Sequence, residues 1–270
     1  PQDRPSPSQE DKEASPDLNM NPVSGLAACV TTCGEDILSK LLQQMAHRAA
    51  FGYHTYTQYR NHSRCGDGCS AKVGACLRFQ GEEPPMPLHG EIYQPERFDL
   101  KRLNLLLEDG CFDKAAEALR PVDGAYSMIV ASENGLVLVR DHLGQKPLYY
   151  VHKPQLIAAA TEKNALEKLG FKVEEAPKDA ILYLSYGVKK IYKISETRDR
   201  MEVKDLEEAA EHILAQLKEA AEARLKRAGR VALGFSGGLD SAVLAKISSA
   251  IKSVKLICLG VEGSRDARWG

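Results

Sequence analysis

PVDGAYSMIVASENGLVLVRDHLGQKPLYY, residues 121–150, holds three strand-like runs: Ala125 to Ala131, Leu136 to Arg140 and Leu148 to Val151. Asn134-Gly135 between the first two is a two-residue hairpin signal, because both positions of that turn need positive φ. Downstream, Leu156 to Ala160 predicts another strand, Glu162 to Leu169 a short helix, and Ala180 to Ile194 a hairpin around Tyr186-Gly187. Upstream, Phe98 to Leu119 predicts two helices broken near Gly110, and residues 53 to 93 short strands and loops. Leu26 to Thr32 suits a buried strand. Asp36 to Arg48 repeats apolar residues at helical spacing, with Glu35 and Asp36 at the end the helix dipole favours. So much β structure, interrupted by helices, predicts an α+β layered domain.

The pattern changes after residue 195. Residues 195 to 204 are polar and read as a linker, and Lys204 to Ala228 predicts a long helix ended by Gly229. A strand from Arg230 to Phe235, a glycine loop, a helix from Ser241 to Ile251 and a strand from Val254 to Leu259 follow. Strand–loop–helix–strand is the first unit of a doubly wound parallel α/β sheet. One crossover does not cover both faces and edges of such a sheet, so the expectation is a truncated second domain. The division is 1–22 disordered, 23–195 first domain, 205–270 start of the second. The first segment is rich in Pro, Ser and charge, with too little apolar surface to offset its ordering entropy.

Over 270 residues the formal net charge is -1, with both signs interspersed. That gives no electrostatic argument for nucleic acid or an anionic membrane as partner. No apolar run approaches twenty residues and no signal segment is evident, so the expected location is cytoplasmic. The cysteines number seven. Their spread favours reduced thiols over a disulfide framework. Cys29, Cys33, Cys65 and Cys69 form two Cys-x3-Cys pairs, for which a zinc site is the minor reading and buried thiols the major one.

Ser236-Gly237-Gly238-Leu239-Asp240-Ser241 sits between an apolar strand and a helix. The glycines permit backbone conformations that a Cβ blocks, and the helix start aims N–H groups and a positive dipole end into the loop. Ser236 and Ser241 offer hydroxyls, and Asp240 can hold Mg²⁺ against phosphate oxygens. The pattern is neither GxxxxGK[ST] nor GxGxxG.

SGGLDS preceded by VALGF resembles the ATP-pyrophosphatase domain of asparagine synthetases. PVDGAYSMIVAS, LVLVRDHLGQKPLYY and LIAAATEKNAL resemble the class II glutamine amidotransferase domain that precedes it in that family. HGEIYQ, residues 89–94, resembles the family's NGEIYN, and His47-Arg48 stands where HRGPD is expected. The resemblance implies an N-terminal-nucleophile (Ntn) hydrolase fold, two antiparallel sheets between helix layers, followed by an ATP-pyrophosphatase sheet. It implies ATP and Mg as cofactors, with Gly260 beside residues 236–241 in the nucleotide site. Its implied partners are ATP, aspartate and ammonia or glutamine, with a homodimer compatible. Aspartate is adenylated, and ammonia from glutamine attacks the acyl-adenylate.

Several residues depart from that pattern. The family's nucleophilic cysteine, which must be residue one of the mature chain, corresponds to Ser24, behind an upstream segment. The oxyanion-hole Asn corresponds to His89; Gly90 and Glu91 remain, and Glu91 could bind an α-ammonium. After Arg48, Gly-Pro-Asp is replaced by Ala49-Ala50-Phe51. The second ammonium-binding Asp falls on Asp99, and Arg140-Asp141 reads as a buried ion pair holding the hairpin. His47, His54 and His62 read as surface or satisfied core histidines. The expectation is an asparagine-synthetase-like ligase whose glutaminase activity is lost. The alternatives are a β-lactam-synthetase-like adenylating cyclase and a non-catalytic scaffold.

Overall fold

A computed structural model describes residues 25–31, 36–48, 70–76, 88–95, 98–132, 135–196, 203, 205–226 and 228–259. It divides into two compact units, Pro1–Glu196 and Thr197–Gly270.

In the first unit β1 (Gly25–Thr31), β2 (Ser70–Cys76), β6 (Tyr149–Lys153), β7 (Leu156–Ala160) and β8 (Glu174–Glu175) form one antiparallel sheet, in the order β2-β1-β7-β6-β8. A second antiparallel sheet runs β10-β9-β5-β4-β3, from β3 (Leu88–Gln94), β4 (Asp123–Ser132), β5 (Gly135–Arg140), β9 (Ala180–Ser185) and β10 (Val188–Lys193). Three buried layers account for the strand alternation. Leu26, Ala28, Ile129, Leu138, Tyr150 and Leu182 fill the space between the sheets. Met128, Val130, Val137 and Val139 face the opposite way, onto α2 (Leu100–Glu108) and α3 (Phe112–Leu119). Ala27, Cys29 and Ala158 pack on α1 (Ile37–Gln44) and α4 (Lys163–Glu167). Successive strand residues point to opposite faces, so β4, β5 and β7 bury both faces and read as nearly continuous apolar runs. The result is a helix–sheet–sheet–helix sandwich, as the resemblance implied.

Local signals set the boundaries. Asp36 caps α1 by accepting from the Ser39 N–H at 3.2 Å, and a short 3-10 turn, Ala46–Arg48, follows the helix. Gly110, at φ +75, separates α2 from α3. The β4–β5 hairpin differs from expectation. Ser132 pairs with Gly135, so the connection is 133–134, which lies outside the described residues. Gly135 belongs to the sheet: a Cβ there would meet the Leu184 carbonyl oxygen at 1.9 Å.

The second unit contains α5 (Leu206–Leu225), β11 (Val231–Gly234), α6 (Leu239–Ile251) and β12 (Val254–Ile257). Asp205 caps α5, accepting from the N–H groups of Glu207 and Glu208 at 2.9 Å each. The helix ends at Leu225, before the expected Gly229. β11 and β12 pair in parallel, joined by α6. Residues 1–22, Cys33, His54, His62, Cys65 and Cys69 lie outside the described residues. Cys29 is buried in the core beneath α1. Among the described residues no helix is long and apolar enough to cross a membrane, and no group of three or more His, Cys, Asp or Glu is placed to hold a metal ion.

Candidate functional site

The loop after β5 organises one end of the first unit. Asp141, fully buried, accepts backbone N–H groups through both oxygens: Leu143 and Gln145 at 3.0 Å on Oδ1, Lys146 at 3.1 Å and Tyr126 at 3.3 Å on Oδ2. Arg140 does not pair with it. Its Nη1 donates to Glu175 Oε1 at 2.6 Å and to the Ala176 carbonyl at 2.8 Å. Its Nε donates to the Lys146 carbonyl and its Nη2 to the Gly144 carbonyl, each at 2.9 Å. The expected Arg140–Asp141 ion pair is therefore corrected. β5 ends at Arg140, and Asp141 opens the following loop, where each side chain becomes a separate hub for backbone groups.

Beside this hub lies the region expected to hold glutamine. Ser24 and Ala49 to Phe51 are outside the described residues, and Arg48 is described in its backbone alone. Leu26, two residues beyond Ser24, donates its N–H to Thr161 Oγ1 at 3.1 Å, and Thr161 returns its N–H to the Leu26 carbonyl at 2.9 Å. His47 Nε2 lies 3.1 Å from Glu162 Oε1, tying the 46–48 turn to the residue next to Thr161. A pocket of about 410 Å³ opens here, lined by His47, Pro147, Tyr149, Thr161, Glu162 and Lys168 among others.

β3 approaches β1 across the sandwich. It carries His89 buried, Gly90 buried and Glu91 exposed. Gly90 has φ +120, and a Cβ there would come within 2.0 Å of the Ala125 carbonyl oxygen. Glycine at this position is thus demanded by strand packing, whatever the ligand chemistry. Asp99 caps α2, accepting from the Arg102 N–H at 2.9 Å through Oδ1.

In the second unit, residues 236–241 join β11 to α6. Gly237 takes φ +75, open to glycine without strain. Gly238 is the N-cap of α6. Ser241 Oγ donates to the Gly238 carbonyl at 2.9 Å and lies 3.2 Å from Ser236 Oγ, which accepts from the Gly238 N–H at 3.4 Å. The two hydroxyls thus brace the loop. The first intrahelical bond is Ala242 N–H to the Gly238 carbonyl, so the N–H groups of Leu239, Asp240 and Ser241 precede it. Leu239 is exposed, as is the carboxylate of Asp240 in the first turn. Gly260 lies outside the described residues.

A further cluster has no counterpart in the sequence reading. His142 Nδ1 lies 2.7 Å from Asp179 Oδ1, and Ser195 Oγ lies 2.9 Å from the same oxygen and 3.1 Å from His142 Nδ1. Ser195 also donates its backbone N–H to Asp179 Oδ1 at 3.1 Å. Burial pulls the Asp179 pKa upward, but hydrogen bonds from His142 and Ser195 outweigh it and leave the carboxyl below its ordinary range. Both partners use Nδ1, so this is not the relay in which serine faces Nε2. The three residues are 16 to 53 positions apart, and no local pattern announces them.

Residues 96–168 match the glutamine amidotransferase domain. That stretch runs from α2 through α4 and includes the Arg140 and Asp141 hubs; Ser24, Arg48 and His89 to Glu91 lie outside it. The chain is 30% identical over 170 residues to "Putative asparagine synthetase (glutamine-hydrolyzing) 1" of Methanocaldococcus jannaschii. The alignment covers 56% of this chain and 31% of that protein, so the chain spans under a third of its relative. Among solved structures, glutamine phosphoribosylpyrophosphate amidotransferase from B. subtilis, complexed with ADP and GMP, is similar at 15% identity and TM-score 0.47. That similarity covers 90% of this chain and 70% of the other. An allosteric regulatory enzyme of purine biosynthesis gives 15% identity and TM-score 0.46 over 90% and 69%. Within the first unit the glutamine amidotransferase match is confined to residues 96–168, and the chain is similar to a putative asparagine synthetase over part of its length.

Proposed function

We propose that the protein is an ATP-dependent amide ligase of the asparagine-synthetase type, using free ammonia in place of glutamine. The observation that carries this reading is the glycine loop at 236–241, set between a parallel strand pair and a helix start, following an amidotransferase domain with asparagine-synthetase similarity. The N–H groups at the start of α6 would meet the phosphates, with the helix dipole adding a favourable field. The exposed Asp240 carboxylate fits a magnesium ion shared with phosphate oxygens, the usual arrangement for that metal. Magnesium would neutralise charge on the departing pyrophosphate. In the reaction a carboxylate oxygen of aspartate attacks the α-phosphorus and pyrophosphate leaves. Ammonia then attacks the acyl carbon, AMP leaves, and the amide forms.

The glutamine side of the reading is loss. Ser24 stands where the thiol nucleophile is expected, and a hydroxyl is the weaker nucleophile at neutral pH. His89 replaces the oxyanion donor, Ala49-Ala50-Phe51 replaces Gly-Pro-Asp, and Asp99 is engaged as a helix cap. Removing a single oxyanion donor already costs about 100- to 1,000-fold in rate.

The test is pyrophosphate release by the intact protein supplied with ATP, magnesium, aspartate and ammonium. Release dependent on aspartate supports the ligase. Release without an external amine would move the reading to an adenylating cyclase, and no release with any amine source would move it to a scaffold.

A further inference from the structure

β8 is two residues long and both are exposed, so pairing with Tyr149 and Tyr150 at the end of the first sheet does not by itself hold it. Side chains supply the rest. Glu174 Oε2 accepts from the Tyr150 hydroxyl at 2.6 Å and from Lys189 Nζ, on β10 of the second sheet, at 2.8 Å. Glu175 Oε1 accepts from Arg140 Nη1, at the end of β5, at 2.6 Å. The Ala176 N–H donates to the Leu148 carbonyl at 2.9 Å, and its carbonyl accepts from Arg140 Nη1 at 2.8 Å. Of residues 172–178 Ala176 alone is buried, in the layer between the sheets that Leu148, Tyr150 and Leu184 also fill. The segment therefore crosses from one sheet to the other where β6 meets the β9–β10 hairpin. There Lys189 Nζ lies 5.0 Å from the Tyr150 ring centre, and His152 Nε2 donates to the Ser185 carbonyl at 2.7 Å.

We infer that residues 174–176 form a charge-held strap over the side of the inter-sheet core, which opens as a unit when Glu174 and Glu175 lose their charge while the sheets beneath stay paired. The forces that hold the two parts differ in kind. β4, β5 and β7 are buried along nearly their whole length, and apolar burial does not respond to a proton. The strap buries one alanine and otherwise depends on two carboxylates. Segments with few buried contacts open locally before the whole fold does.

The groups facing Glu174 are Tyr150 and His152 from β6 and Lys189 from β10; those facing Glu175 are Arg140 from β5 and Tyr149 across the β6–β8 pairing. Hydrogen bonds from Lys189 and Tyr150 hold the Glu174 carboxyl below its ordinary range. Its hold on the strap is therefore present above the ordinary carboxylate value and is lost as pH falls through the folded one. The two carboxylate side chains are 53% and 58% exposed, so each ion pair is weak alone and the strap needs both. It lies wholly within the first unit and stands whether or not the protein binds ATP.

Amide hydrogen exchange of the full chain, corrected for intrinsic rates, tests the strap at the Ala176 N–H, with Val137 and Leu138 of β5 reporting on the sheets. In Glu174→Gln combined with Glu175→Gln at pH 7, exchange at Ala176 is expected to rise about tenfold, the joint effect of weakening two partly exposed charge-assisted bonds. Val137 and Leu138 should not change. Between pH 7 and pH 3 the wild-type Ala176 opening should rise by a similar factor, and that of the double variant should stay flat. Lys189→Met gives a second route that leaves both carboxylates charged. It should also speed Ala176, and Glu174→Gln should add less on that background than on the wild type. Unchanged Ala176 exchange in the double variant, or Val137 and Leu138 accelerating in step with it, overturns the strap.

Discussion

Asp141→Ala should be among the most damaging single substitutions in the first unit, and the size of the loss follows from the geometry. The carboxylate is fully buried and accepts four backbone N–H groups. Those of Leu143 and Gln145 lie in a loop whose Leu143 side chain is 72% exposed, so water can replace the lost oxygen there. The N–H of Tyr126 belongs to a fully buried strand residue, and that of Lys146 lies against the Arg140 side chain. Two stranded donors at about 1–3 kcal/mol each give a loss of about 4 kcal/mol. That is a large share of the roughly 5–15 kcal/mol by which domains are stable. Asp141→Asn sharpens the test. One oxygen can still serve Leu143 and Gln145, which share Oδ1, but the amide nitrogen then faces the Tyr126 and Lys146 N–H groups, which share Oδ2. The asparagine variant should therefore lose nearly as much as the alanine one. Urea unfolding measures both, and at a slope of about 2 kcal/mol per molar the midpoint should fall by roughly 2 M. A loss under about 1 kcal/mol for either variant would refute the reasoning, because the loop would then hold its shape without the carboxylate.

Gly90→Ala and Gly135→Ala should each destabilise the second sheet strongly, since their Cβ atoms would meet carbonyl oxygens at 2.0 and 1.9 Å. Thermal unfolding reads this, and Gly170→Ala, where space is open although φ is +81, should lose only the backbone cost of about 1 kcal/mol. Gly237→Ala should weaken nucleotide binding by calorimetry while leaving the melting of the first unit unchanged, because φ +75 at this loop position disfavours a side chain. The acid dependence of Asp179 has a definite sign. Its folded pKa is depressed, so its contribution is present above the ordinary carboxylate value near pH 4 and disappears as pH falls through the folded value. The stability gap between wild type and Asp179→Gly should therefore close on acidification, and a gap constant from pH 7 to pH 2 would contradict it.

What the sequence disclosed and what it concealed divide along the range of the interaction. β7 follows its apolar run, the β9–β10 hairpin turns at Gly187 with φ +72, and the α2–α3 break falls at Gly110, because these depend on neighbours a few residues away. The loop at 236–241 was legible for the same reason. The Asn134-Gly135 signal misplaced the turn because Gly135 answers to Leu184, nearly fifty residues downstream. Arg140 and Asp141 look like a pair when adjacent in sequence, but the strand ends between them and they turn to separate partners, Glu175 and the Tyr126 N–H among them. Asp99 takes up a local role as well, capping α2 three residues from its partner Arg102. The cluster of His142, Asp179 and Ser195 was beyond any local pattern, since three separate segments build it.

The proposed ligase would take its amide nitrogen from free ammonia and join it to an ATP-activated carboxylate. Incubating the intact protein with ATP, magnesium and aspartate, once with ¹⁵N-ammonium and once with amide-¹⁵N glutamine, tests it directly. The account predicts ¹⁵N in the asparagine amide from ammonium, accompanied by AMP, with glutamine left intact. Label arriving from glutamine, with loss of that transfer in Ser24→Ala, would contradict it.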